Sequence, residues 1–233
     1  MFSNNRRILR IVAIALLALT MVVTVVSGIG IYCAAFDTQS YPALSALLPY
    51  QWLYQVFMVA TLLGGVAGLW ATVALIRGQV GSVRLALWVL LVVAFTALAQ
   101  VTASLVLRGK SMPNDLRLYL AVITLAVFWF GRRRLSGATT PGQPGKPAQA
   151  AGAALIVCGA ALGLAPLWAH VGHFDGRVNW ASLADPWLSL AALGAIVIGG
   201  VLIAPRTLTA SVSRHSARSS AAAGEGLLEN GRL

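Results

Sequence analysis

Two histidines three residues apart, His170 and His173, followed by Asp175, form the densest group of metal- or proton-handling side chains in the sequence. At helical spacing both imidazoles share a face, so with the carboxylate they offer two nitrogens and an oxygen to a metal, a tetrapyrrole or a proton. A structural metal site wants four such ligands, and the third histidine, His215, falls on the other side of the threading derived below. The leading reading is therefore an interfacial polar rim with no resident metal or other cofactor. A redox or cofactor-binding role of His170 and His173 is a further alternative.

A second group is neutral. Gln100 sits in a long apolar run, about 12 Å inward from Arg108 at 1.5 Å per residue, with Thr96 and Ser104 four residues to either side on one helical face. Gln55 lies about a turn inside the same boundary on another run. Polar side chains are expensive in hydrocarbon, so these four either tie helices together by hydrogen bonds or line a polar cavity opening outward. Beyond these groups the chemistry is sparse. Cys33 and Cys158 fall within or at the end of apolar runs, where a thiol is an inert packing group instead of half a disulfide or a redox pair. No GxSxG, HExxH, P-loop, GxGxxG or paired-carboxylate motif occurs, so no catalytic residues are assigned and the protein reads as a non-enzyme.

The elements that would position these residues are hydrophobic helices. Of 233 residues 58% are hydrophobic and only 10% charged, against about a quarter charged in a soluble domain. The net charge of +11 comes from basic residues scattered at the ends of apolar runs, which suits lipid headgroups and not nucleic acid. A hydrocarbon core about 30 Å thick needs about 20 helical residues. Five segments meet this, 8–34, 52–76, 84–107, 150–171 and 186–204, and residues 116–131 form a marginal sixth. There Arg117 is expected to snorkel outward, and no Asp, Glu, Lys or Arg is expected at the midplane of any span. The first run is too long for a cleaved signal and is read as retained.

Six crossings with the N-terminus inside put Arg6, Arg7, Arg10, Arg77, Arg84, Arg132, Arg133, Arg134, Lys146, Arg206, Arg214, Arg218 and Arg232 on one side. Only Arg108, Lys110, Arg117 and Arg177 fall on the other. The positive-inside rule thus predicts both termini in the cytoplasm. The expected fold is an all-α polytopic membrane protein of six transmembrane helices. Residues 1–131 form a four-helix segment, 132–149 a cytoplasmic basic Pro/Gly linker, 150–205 a two-helix hairpin and 206–233 a disordered cytoplasmic tail. The last helix is expected to start at Asp185–Pro186.

Small residues recur at four-residue spacing: Ala60, Gly64 and Gly68, then Gly159 and Gly163, then Ala191, Ala195 and Gly199. Such stripes let helices approach closely, within the chain or against a partner. Of the outer loops, 36–55 carries Tyr41, Tyr50, Trp52 and Tyr54, 173–187 carries Trp180 and Trp187, and 108–119 carries charges of both signs and a Pro-Asn-Asp turn, as an interfacial belt or a docking surface would. These features predict a non-catalytic protein of the inner or plasma membrane, an accessory or scaffolding subunit of a membrane complex. Its partners would be the lipid bilayer and either other membrane subunits or a second copy of itself. Transport or permeation of a neutral or weakly polar solute through a cavity around Gln100 is the alternative.

Overall fold

The computed structural model describes residues 2–111, 115–136, 146–164 and 180–204. Helix α1 (Phe2–Gly30) continues into the short α2 (Tyr32–Phe36). Two 3-10 segments, Thr38–Ser40 and Pro42–Tyr50, lead to α3 (Gln51–Ile76), followed by α4 (Ser82–Arg108), α5 (Asp115–Ser136), α6 (Lys146–Gly163) and α7 (Trp180–Ile203). The described residues contain no strand. Four segments are long and apolar enough to cross a membrane: Ile8–Phe36, Leu44–Ile76, Ser82–Arg108 and Pro186–Ile203. The apolar stretch of α6, Ala148–Gly163, is shorter.

Helices α1, α3, α4 and α5 pack as a bundle, α1 against α3 and α5, α4 against α3 and α5, and α6 lies on α1. The connection between α3 and α4 is dictated by glycine. Gly78, at φ +70°, lets the chain leave α3 in the left-handed conformation; its amide then donates to the Leu75 carbonyl while Gln79 N donates to Ala74 O. That pairing is the Schellman closure of a helix C-terminus. It turns the chain tightly enough for α4 to run back beside α3.

The buried positions explain the bundle geometry. On α5 they are Arg117, Ala121, Thr124, Phe128, Gly131 and Leu135; on α4, after Ser82 at its start, Val83, Ala86, Leu90, Val93, Ala97, Gln100 and Ser104. Spacings alternating between three and four keep one stripe facing the partner helices, as in left-handed bundles. The stripes mix small and polar residues with Leu90, Val93, Phe128 and Leu135, whereas Leu63, Trp70, Phe95, Val106, Ile123 and Phe130 are exposed. A protein folded in water would put the large apolar groups inside. So many large apolar groups on the outside, with Arg117, Gln100 and Thr124 inside, match a solvent that is itself apolar, in which helices gain by close backbone approach and by hydrogen bonds.

Three helix boundaries differ from the sequence expectation. Helix α5 does not stop at residue 131 but carries Arg132–Arg134 in its last turns, where cations complement the helix dipole and the Arg132 guanidinium stacks 4.5 Å from the Trp129 ring centroid. Helix α6 starts at Lys146, inside the expected linker. Helix α7 starts at Trp180 and contains Pro186; the proline removes one backbone hydrogen bond near the start of the helix without ending it. Residues 206–233, expected to be a disordered tail, lie outside the described residues.

Candidate functional site

The bundle is most polar where α3, α4 and α5 meet. Arg117 Nη1 donates to Thr61 Oγ1 at 2.7 Å and Arg117 Nη2 to Gln100 Oε1 at 2.9 Å. Arg117 and Gln100 are 0% exposed and Thr61 1%, so the guanidinium is enclosed. This corrects the expectation that Arg117 snorkels outward. The reason is reach. Arg117 lies only two residues into α5, but its head group turns inward to two acceptor oxygens, one of them about 12 Å along α4 from Arg108. A cation that finds fixed acceptors inside need not return to the interface.

Both partners of Arg117 are neutral. Asp115, the acid nearest in sequence, accepts a hydrogen bond from Ser111 Oγ through Oδ2, and its buried Oδ1 has no partner. Arg117 Nε and Gln100 Nε2 are likewise buried without partners. The node therefore combines a fixed positive charge with two unused donors. Such a set can cement three helices or hold an anionic group or a water; among the described residues no carboxylate contacts it.

Toward the start of α3 and the end of α4, Tyr54 Oη and Ser104 Oγ lie 3.0 Å apart as a hydrogen-bonded pair joining the two helices. Tyr54 also meets Phe57 edge-on. Below, Thr20 and Thr124 pair across α1 and α5 at 2.8 Å. Arg10 Nη2 donates to the Leu75 carbonyl at 2.9 Å, tying α1 to the end of α3.

The four neutral residues proposed as one cavity have separate partners. Gln100 receives Arg117, Ser104 pairs with Tyr54, Gln55 Nε2 donates to Ala35 O at 3.0 Å, and Thr96 Oγ1 donates to the Val93 carbonyl of its own helix. Gln100 and Ser104 are each 0% exposed, so neither lines an open chamber. Sequence reasoning missed Arg117, Thr61 and Tyr54. The available signal for Arg117 was its register, since it continues the stripe of Ala121, Thr124 and Phe128 at spacings of four, three and four.

His170, His173 and Asp175 lie outside the described residues, and among the described residues no group of three metal-ligating side chains occurs. The small-residue positions sit at close approaches. A Cβ at Gly68 would meet Met21 Sδ at 1.9 Å, and one at Gly64 would meet Val93 Cγ2 at 3.0 Å. Between α6 and α7, a Cβ at Gly159 would lie 2.7 Å from Ala192 O and 3.2 Å from Ala195 Cβ, one at Gly199 2.7 Å from Gly152 O, and one at Gly163 3.5 Å from Ala192 Cβ. Cys158 is buried and Cys33 half-buried, both as free thiols. No protein-family model, curated protein or solved structure matches the chain.

Proposed function

We propose that this chain is a six-span protein of the inner or plasma membrane, with both termini in the cytoplasm, acting without catalysis as an accessory or scaffolding subunit. The observation that carries the reading is how the buried polar groups are used. Arg117, Gln100, Thr61, Tyr54, Ser104, Thr20 and Thr124 bond helix to helix, as expected of a body built to hold a shape. The six crossings rest on the four apolar spans together with α5 and the segment beginning with α6. The orientation rests on the bias of Lys and Arg between the two sides.

Two experiments test this. Reporter fusions placed after Gly131 and within residues 173–180 should give opposite signals; matching signals overturn the threading. Purified from native membranes in mild detergent, the protein should carry a second polypeptide or a second copy of itself. A strictly monomeric preparation with nothing bound overturns the subunit reading.

One observation favours a second reading. Arg117 Nε and Gln100 Nε2 are donors without acceptors beside a cation that has no counter-charge among the described residues, and a charged residue inside a membrane commonly marks a solute or ion pathway. Here the protein would admit an anionic group to Arg117. At constant ionic strength, chloride should then raise the Tm of the purified protein relative to gluconate, and Arg117→Met should abolish the difference. Equal melting in both salts overturns this reading.

A further inference from the structure

The opposite end of α4 carries a different constellation. A hollow of about 450 Å³ lies between the start of α4 and the end of α5, lined by Gly81, Ser82, Arg84, Leu87, Arg132 and Arg133 among others. Three arginines thus line one space. Gly81, at φ +80°, takes the N-cap position and supplies no side-chain cap, so the amide dipoles at the start of this 27-residue helix are left to attract negative charge. Ser82 is 2% exposed, and its hydroxyl is buried without a hydrogen-bond partner. A buried hydroxyl ordinarily has one, and here it stands at the wall of a cationic hollow.

We infer that this hollow binds the phosphate of an anionic phospholipid. Arg84, Arg132 and Arg133 would supply the positive field, and Ser82 Oγ and the start of α4 the short-range donors. A lipid fits better than free phosphate because Leu87 continues the wall downward as apolar surface beneath the charges, toward the exposed Trp88 and Leu91. A headgroup could sit among the arginines while its acyl chains run along α4. The inference rests on α4 and α5 crossing a membrane but not on which side the hollow faces.

The test uses the full chain in detergent, titrated with phosphatidylglycerol or phosphatidylcholine, with bound lipid counted by native mass spectrometry. One phosphatidylglycerol should be retained in preference to phosphatidylcholine. The pair Arg84→Gln and Arg132→Gln should lower that preference about tenfold, and Ser82→Ala about two- to threefold. Arg77→Gln, which removes an exposed charge at the same end of the bundle without touching the hollow, should leave it unchanged. Equal retention of both lipids overturns the inference, and so does an equal loss with Arg77→Gln, which would mean a diffuse positive surface. Occupation by inorganic phosphate in place of lipid overturns the lipid assignment. Monodisperse elution of each variant shows that it is folded, and a chain that stays soluble without detergent would instead sink the membrane reading.

Discussion

Replacing Gln100 with leucine will destabilise the bundle by about 3 kcal/mol, whereas replacing Arg117 with methionine will cost less than about 1 kcal/mol and can be stabilising. The asymmetry follows from what each change leaves behind. Gln100→Leu removes the acceptor of Arg117 Nη2 and leaves a guanidinium 0% exposed with Thr61 as its one remaining hydrogen-bond partner. Arg117→Met removes the charge itself, and the freed Gln100 and Thr61 are neutral groups with a much smaller desolvation penalty. The double variant should therefore be more stable than Gln100→Leu alone, recovering about 2 kcal/mol. Thermal unfolding of the four proteins in one detergent measures the cycle. Additive losses, or a Gln100→Leu variant as stable as the parent, would show that Arg117 does not depend on this contact.

An oxidised pair at Gly163→Cys and Ala192→Cys will cross-link α6 to α7 nearly quantitatively in a chain whose own Cys33 and Cys158 have been changed to alanine. A Cβ at Gly163 stands 3.5 Å from Ala192 Cβ, at the short end of the disulfide range. Adding Gly199→Leu should reduce the cross-link to a small fraction. The first atom added at Gly199 would lie 2.7 Å from the Gly152 carbonyl oxygen, and a backbone atom cannot rotate away as the end of a side chain can. The helices must separate, and without a hydrophobic drive between them in lipid they have little to hold them at a greater distance. Gly194→Leu is the control, because a Cβ there meets nothing within 4 Å. Equal loss with both leucines would show that bulk anywhere on α7, and not the close approach at Gly199, governs the pairing.

The helices were legible in the sequence because lipid permits few alternatives. A long apolar run must satisfy its own backbone polar groups, and helix does so within a single segment. The ends were less legible. The expected stop of α5 at residue 131 treated Arg132–Arg134 as linker, but the last turn of a helix is a favourable place for cations, and α5 runs on to Ser136. The glycines at 64, 68, 159, 163 and 199 could be read from spacing alone as places of close approach, but not which helix each would meet. Gly64 faces α4 and Gly68 faces α1, although both lie on the same helix.

The candidate site was half legible. Gln100 stood out because an amide inside an apolar run needs a partner, and Ser104 shared its face. That partner could not be read off. Gln55 was the obvious choice from depth, yet it reaches back to Ala35 O, while Arg117, judged by its position near a helix end, was sent to the interface.

From the sequence alone come the apolar surroundings of this protein, the helical form of its segments and the gathering of Lys and Arg at the ends of the apolar runs, since these follow from composition and local order along the chain. Only tertiary structure decided that the Arg117 head group turns inward, because the choice between interface and interior depends on two acceptor oxygens, Thr61 and Gln100, delivered by two other helices. Side-chain reach is local, but the acceptors that compete for a charge are placed by the packing of the whole bundle.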